Sequence, residues 1–312
     1  NNCLKHHGEI VTQIANRRGG SFAMEAVSAH ALVPQSLSDL MLRKLEAVPN
    51  GERQVINMSI GIDGSDSAQA MAFHQYFFLR RFFAAMEQLS LEKPEVADRN
   101  LVTIIAGNPG VQLDSQIAAL RTLFPNAFKR IALVGGVDAA GNLSSRTRFN
   151  YLQDNTSGNI VYARGIGVQA SSTATGAITC TGTSFAAPEV ASVLQALWAR
   201  HPDRPAQEIL AAVRAVLAAT DGVIPQDADG RTTEAFLDEV SSLIGSTPST
   251  TPTPAPPNIC HMCSFDASCT VFGFGGCYRC RNSTYDGGTC LGSGLQFDGP
   301  CQEDPELYRT CQ

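Results

Sequence analysis

The sequence predicts a three-layer α/β fold, in which a mostly parallel sheet lies between helices, followed by a small disulfide-rich C-terminal module. Short apolar segments alternate with longer amphipathic segments over the first 245 residues. A tract of Thr, Pro and Ser then interrupts the pattern, and eight of the ten cysteines follow it. Fully apolar strands that alternate with helices are typical of a parallel sheet that is covered on both faces.

Four short apolar segments predict the strands of this sheet. They are bounded by Gly, Asn or Asp, and they cover residues 55–60, 101–106, 131–134 and 160–162. In sheets of this class, active groups gather where the strands end and the following loops or helices begin. We therefore look for functional residues directly after these segments.

Longer segments between and after the strands predict helices. They cover residues 66–88, 113–123 and 184–201, and Pro205 opens a further helix. In that last segment the apolar residues recur at i, i+1, i+4, i+7 and i+8, which is the spacing of one helix face.

Residues 246–257 read STPSTTPTPAPP and predict an extended linker. A tract of this composition cannot form a core and favours the polyproline II conformation. We therefore divide the chain into a body (1–245), the linker (246–257) and a Cys-rich module (258–312).

The eight cysteines of the module predict disulfides, with a zinc site as the alternative. Two Cys-x2-Cys pairs, Cys260/Cys263 and Cys277/Cys280, approach the spacing of a zinc ribbon. A short, cysteine-dense segment is more typical of an oxidising compartment, so we expect disulfides and a secreted protein. The sequence does not choose among the possible pairings. Anchoring to a surface or a carbohydrate is one role open to the module.

The composition argues against several classes of partner. The 312 residues have a net charge of −6 with both signs scattered, so we expect no nucleic-acid partner. No apolar run reaches the roughly 20 residues that a membrane-spanning helix needs, so we expect no membrane span. We expect no cofactor, and no local cluster of Asp and Asn supports structural calcium. The sequence begins Asn1-Asn2-Cys3 without an initiator Met or a signal peptide, so we expect a longer gene product.

Ser184 is the first candidate for chemistry. It lies in the segment GTSFAAP (182–188), where a small turn leads into a helix whose later residues are apolar. A hydroxyl at the N-terminus of a helix lies close to free N–H groups, which suit a developing oxyanion. The alternative is that Ser184 is only a helix N-cap, a common role for serine.

Two further polar residues occupy positions that suit the same chemistry. His7, followed by Gly8, opens an amphipathic helix and is a candidate general base towards a serine. Asn108 follows an apolar strand, and its side-chain NH₂ is a suitable donor to an oxyanion. The alternatives are a surface or capping histidine and an ordinary turn residue.

Together these segments resemble the subtilisin-like serine proteases (subtilases, peptidase family S8), from Lys5 to about residue 220. GTSFAAP matches the nucleophile motif of that family, and His7-Gly8 resembles its His-Gly helix, although Glu189 stands where many relatives carry His. VINMSIG (55–61) resembles the substrate strand of that family, and AGN (106–108) resembles its oxyanion segment. IALVGGVD (131–138) resembles the family strand that follows the oxyanion segment.

The resemblance implies a serine endopeptidase that cleaves protein or peptide substrates in an extended conformation. Ser184 would attack the scissile carbonyl, and His7 would take its proton and return it to the leaving amine. Asn108, with the backbone N–H of Ser184, would hold the oxyanion. The implied substrate-binding residues are Ser59, Ile60 and Gly61 in the substrate strand and Ile105, Ala106 and Gly107 in one pocket wall.

In this family the triad Asp precedes the His, but residues 1–6 contain no carboxylate. Glu9 should point about 200° around the helix from His7, and we expect Asp63 and Asp66 on the rim of the cleft. We therefore expect the sequence to be truncated and, as it stands, weakly active at best. The alternative is a catalytically inactive subtilase-like scaffold whose Cys-rich tail is the binding module.

Cys3 and Cys180 each precede a candidate catalytic residue by four positions. A disulfide between them is compatible with the sequence. A pairing of Cys3 with a segment outside this sequence and two free thiols are equally compatible.

Overall fold

The computed structural model describes residues 2–19, 22, 34–60, 68–142, 149–153, 155, 158–172, 176–246, 263–271 and 275–280. The chain divides into two compact units, residues 1–249 and 250–312, which we describe separately. The linker residues 247–257 lie outside the described residues.

A parallel four-stranded sheet forms the centre of the first unit. Its strands lie in the order β1-β2-β3-β4, and they are β1 (Gln54–Met58), β2 (Asn100–Ile105), β3 (Ile131–Val137) and β4 (Ile160–Arg164). Every residue of β2 and β3 is buried, as expected for a sheet that is covered on both faces. This confirms the predicted α/β fold class and all four predicted strands to within two or three residues.

Ten described helices accompany the sheet. They are α1 (Asn2–Lys5), α2 (His7–Ala15), α3 (Pro34–Glu46), α4 (Ala68–Glu92), α5 (Pro94–Ala97), α6 (Asp114–Leu123), α7 (Pro125–Phe128), α8 (Thr183–Arg200), α9 (Ala206–Leu217) and α10 (Glu234–Ser246). The sequence predicted α2, α4, α6, α8 and α9. It did not predict α3, α10 or the four-residue helices α1, α5 and α7.

Helix α8 is the central helix of the main core. Its first twelve residues, Thr183 to Leu194, are all buried. They pack with α9, α10 and one face of the sheet, to which Leu101 and Ile105 belong. Since side chains alternate between the two faces of a strand, Leu101 and Ile105 lie on the same face of β2. The N-terminus of α8 is therefore held at a fixed place beside the sheet.

An antiparallel hairpin that the sequence did not predict leads into α8. It consists of β5 (Val168–Ser172) and β6 (Gly176–Cys180). The hairpin packs against α2 in a small second core, in which Val168 and Cys180 contact Ile10, Ile14 and Phe185. The helix that begins at His7 is therefore supported by the same hairpin that leads towards Ser184.

A buried polar network joins the C-terminal end of α2 to α8. Glu189 is 2% exposed, and its Oε1 accepts hydrogen bonds from the backbone N and the hydroxyl of Thr232, both at 2.8 Å. Nε of Arg18 lies 3.9 Å from the same oxygen. The guanidinium of Arg18 also donates to the carbonyl of Thr232 and, at 2.8 Å, to Glu234.

The second unit contains an antiparallel pair of strands, β7 (Cys263–Val271) and β8 (Gly275–Cys280). The remaining cysteines of the module lie outside the described residues, so its predicted disulfides and the zinc alternative stay predictions. Within the described part of the chain, no helix is both long and apolar enough to cross a membrane. No three His, Cys, Asp or Glu side chains of that part are grouped so that they could hold a metal ion.

The buried carboxylate of Glu189 should contribute far more to stability than the exposed carboxylate of Glu234. Removing one partner of a buried ion pair costs about 3–5 kcal/mol, whereas an exposed pair contributes at most about 1 kcal/mol. Glu234 is 66% exposed although it also pairs with Arg18, so it is the matched control. We predict that Glu189→Ala lowers the free energy of unfolding by about 3 kcal/mol and Glu234→Ala by less than about 1 kcal/mol. Urea unfolding measures both, and equal losses would contradict the prediction.

Candidate active site

Ser184 lies in the first turn of α8 and faces the residue that follows the end of β1. Its hydroxyl donates to the backbone carbonyl of Ser59, with an Oγ–O distance of 3.4 Å. In return, the hydroxyl of Ser59 donates to the carbonyl of Ser184 at 2.9 Å. The structure therefore places Ser59, a predicted substrate-strand residue, directly against the candidate nucleophile.

The bond from Ser59 satisfies a carbonyl that the helix itself leaves open. In an α-helix the carbonyl of Ser184 would accept from the N–H of residue 188, but residue 188 is proline and has no N–H. A carbonyl this close to the core needs a partner. The hydroxyl of Ser59 supplies that partner and so links the end of the sheet to the start of α8.

His7 is the first residue of α2 and lies beside the start of α8. Its ring centroid is 5.6 Å from that of Phe185, the residue after Ser184. Burial lowers the pKa of His7 below its usual 6.5. At neutral pH the imidazole is therefore uncharged, which is the form that can accept a proton.

Glu9 is directed towards His6. Its Oε2 lies 3.6 Å from Nδ1 of His6, one turn earlier. This agrees with the helical geometry from which we expected Glu9 to be a poor partner for His7. Asp63 and Asp66 lie outside the described residues, so their predicted place on the cleft rim stays a prediction.

Asn108 is joined to α8 through its side-chain carbonyl oxygen. That oxygen accepts from the backbone N of Thr183 at 2.9 Å and from the hydroxyl of Thr183 at 2.8 Å. Two donors at one oxygen fix the orientation of the amide, so its Nδ2 is the group left to donate elsewhere. The side chain of Asn108 thus contacts Thr183, the residue before Ser184. Asn108 is exposed, so its NH₂ group is available at the surface.

Asn150, which the sequence did not single out, braces the predicted pocket wall of Ile105, Ala106 and Gly107. Its Nδ2 donates to the carbonyl of Ala106 at 2.7 Å, and its backbone N donates to that of Gly107 at 2.9 Å. Gly107 has φ +112°, and a Cβ at this position would lie 2.6 Å from Nδ2 of Asn150. Only glycine fits this position.

The structure accordingly brings four of the predicted segments to one end of the sheet. Ser59 contacts Ser184, His7 contacts Phe185, and Asn108 contacts Thr183. Ile60 follows Ser59 and is half-buried, whereas Gly61 lies outside the described residues. Neither Asn150 nor the Arg18–Glu189 network carries a local sequence signal, because each pairs residues that are far apart in the chain.

The hydrogen bond from Ser59 to the carbonyl of Ser184 should contribute measurably to the free energy of unfolding. We predict that Ser59→Ala costs about 1–2 kcal/mol of unfolding free energy, because it leaves a backbone acceptor without its donor. Ser90→Ala is the matched control. The hydroxyl of Ser90 donates to the carbonyl of Met86 at 2.7 Å inside α4, where that carbonyl keeps its helical N–H. A Ser59→Ala loss no larger than the Ser90→Ala loss in urea unfolding would contradict this reading.

Several solved structures are similar to this chain over much of its length. A lanthipeptide protease is 18% identical, with 76% of this chain and 75% of that chain covered and a TM-score of 0.49. The A-subunit of the AB5 toxin from E. coli is 14% identical, with coverages of 78% and 80% and a TM-score of 0.48. The prenylagaramide maturation protease PagA is 21% identical, with 72% of each chain covered and a TM-score of 0.42. At these values the likenesses carry no functional argument.

A search of curated protein sequences found no match. In contrast, the model of the subtilase family, peptidase family S8, matches residues 8–245. The match spans most of the chain and includes the segments that hold Ser59, Asn108 and Ser184. This chain therefore belongs to the subtilase family.

Proposed function

We propose that the protein is a secreted serine endopeptidase that hydrolyses peptide bonds of protein substrates through an acyl-enzyme. One observation carries the proposal. Three segments that are far apart in sequence, which bear His7, Asn108 and Ser184, meet at the first turn of α8. This group of residue types supplies a base, an oxyanion donor and a nucleophile.

In the proposed mechanism Ser184 attacks the scissile carbonyl while His7 takes the proton from its hydroxyl. His7 then returns the proton to the leaving amine, and the acyl-enzyme remains on Ser184. Water, deprotonated by His7, releases the acyl group. The lowered pKa of His7 supports this role, because it keeps the imidazole uncharged at neutral pH.

The oxyanion would be held by Nδ2 of Asn108 and the backbone N–H of Ser184. Two features support this assignment. The Oδ1 of Asn108 is already bonded to Thr183, which leaves Nδ2 to donate. The backbone N–H of Ser184 also lies in the first turn of α8, where a helix supplies no i−4 carbonyl for its N–H groups and the helix dipole favours negative charge.

The substrate would bind in an extended conformation along Ser59, Ile60 and Gly61. Ser59 and Ile60 follow β1, which lies at one edge of the described sheet, so an added peptide strand can pair there by β-augmentation. The segment Ile105 to Gly107 would form one wall of the pocket for the residue before the cut. We also propose that the module 258–312 acts as an anchoring or stabilising accessory.

A carboxylate that orients His7 would complete the triad. In chymotrypsin-type proteases, loss of this group lowers turnover by about 10⁴-fold, which sets the scale of its importance. The second candidate function is a catalytically inactive subtilase-like scaffold whose Cys-rich tail binds a partner.

Covalent labelling with a fluorophosphonate distinguishes the two functions. We predict that the probe labels the folded protein at Ser184, that Ser184→Ala abolishes the labelling, and that His7→Ala slows it. Ser192→Ala is the matched control, because Ser192 lies on the same helix and is 1% exposed. Its labelling should equal that of the unmodified protein. Labelling that survives Ser184→Ala, or no labelling of the folded protein, would contradict the protease.

The pH dependence of the labelling rate should report the protonation of the His7 imidazole. Since burial lowers its pKa below 6.5, the uncharged base persists to lower pH than for an ordinary histidine. We predict that the labelling rate falls on acidification with a midpoint below pH 6.5, and that His6→Gln leaves this midpoint unchanged. A midpoint at or above 6.5, or one that moves with His6, would show that His7 is not the titrating base.

A further inference from the structure

A disulfide joins Cys3 to Cys180 in the described structure. Of the three states that the sequence left open for these cysteines, this is the one observed. Cys3 lies in α1, four residues before His7, and Cys180 ends β6, four residues before Ser184. The bond therefore connects, across 177 positions of sequence, the two segments that carry the proposed base and nucleophile.

The surroundings of the disulfide connect it to the position of His7. Cys180 belongs to the small core that α2 forms with the hairpin, and Cys3 packs against that core. Phe185, whose ring contacts His7, belongs to the same core. A shift of α1 away from β6 would therefore change the packing on which the imidazole rests.

Other contacts hold the far half of α2. Gln13 exchanges hydrogen bonds with Ser171 at 2.6 and 3.0 Å, and Arg17 donates to the carbonyl of Gln169. Arg18 then approaches Glu189. These contacts are all one to three turns beyond His7, so they anchor the C-terminal half of α2 and leave the His7 end to the disulfide and the small core.

We propose that the Cys3–Cys180 disulfide is a positioning element, and a reversible thiol–disulfide switch, that holds His7 against the first turn of α8. The proposal deepens the proposed function, because it assigns regulation to the same site. In the oxidised form His7 is held beside Phe185, the residue after Ser184. In the reduced form the first turn of α2 is released while the main core stays folded.

The switching reaction is an ordinary thiol–disulfide exchange with a dithiol reductant. Cys180 is 1% exposed, whereas Cys3 is half-buried, so the reductant thiolate reaches Sγ of Cys3. A mixed disulfide forms on Cys3 and the thiolate of Cys180 leaves and takes up a proton. The second thiol of the reductant then closes its own disulfide and releases Cys3 as a thiol. The protein gains two electrons and two protons, and the dithiol loses them.

The test uses the full chain in two readouts, one of which does not depend on activity. The first is the pKa of His7 by NMR titration, with the signal assigned by His7→Gln. Among the described residues, the charged or titratable groups on the segment of His7 are Lys5, His6 and Glu9. The described residues of the hairpin and the first turn of α8 add only Cys180, which titrates, like Cys3, once the disulfide is reduced. Because burial lowers this pKa, release of His7 should raise it towards 6.5.

The second readout is the rate of fluorophosphonate labelling at Ser184. A misplacement of about 1 Å can cost about 100-fold in rate, so we expect reduction by dithiothreitol to slow labelling at least about 10-fold. Reoxidation should restore the rate. The Cys3→Ala/Cys180→Ala variant should label at the slow rate with or without dithiothreitol. Any change in its labelling rate on addition of dithiothreitol would come from the cysteines of the module 258–312.

An internal control separates local release from general unfolding. His201 follows the end of α8, far along the helix from Ser184, and burial together with Arg204 and Arg200 lowers its pKa. In the reduced protein and in the double cysteine variant the pKa of His201 should stay unchanged while that of His7 rises. If both rise together, the disulfide supports the whole fold and the switch is refuted.

The outcomes also separate the switch from the proposed function. An unchanged His7 pKa on reduction, or a double variant that labels as fast as the oxidised protein, would overturn the switch. A His7 pKa that rises on reduction while neither form is labelled would support the positioning role and contradict the protease. A rise in pKa together with a reversible loss of labelling supports both.

Discussion

The first turn of α8 is the structural constraint on which the candidate site depends. Pro188 removes the helical donor for the carbonyl of Ser184, and the hydroxyl of Ser59 replaces it. One residue earlier, Thr183 donates twice to the side chain of Asn108. The first turn of α8 is therefore hydrogen-bonded to side chains that follow the ends of β1 and β2. Those contacts fix the candidate groups relative to a single turn of backbone.

The sequence predicted the parts of the fold that rest on strong local patterns. The four strands consist mostly of apolar residues, and α9 has a clear apolar face, so the sequence pattern identifies them. The GTSFAAP segment was equally informative, because its turn, hydroxyl and proline have separate local causes. Resemblance then related His7 and Asn108 to Ser184, which no local pattern could do.

Other features were beyond the sequence because they depend on tertiary contacts. The β5–β6 hairpin is built from small and polar residues (VQASS and GAITC) and has little strand pattern of its own; it is supported by α2. Asn150 acts through two backbone carbonyls that are more than forty residues away. The local sequence around Arg18 and Glu189 did not indicate that they pair. Three states of Cys3 and Cys180 were equally compatible with the sequence. In each case the partner, and not the residue, determines the role.

A crystal structure of the fluorophosphonate adduct would show the proposed oxyanion site in use, because the adduct resembles the tetrahedral intermediate. We predict phosphorus bonded to Oγ of Ser184, with one phosphonyl oxygen about 3 Å from both Nδ2 of Asn108 and the backbone N of Ser184. We also predict a ring nitrogen of His7 within hydrogen-bond reach of Oγ of Ser184, on the side of the phosphorus away from Asn108. An adduct whose oxygen faces away from Asn108, with His7 out of reach, would contradict the account.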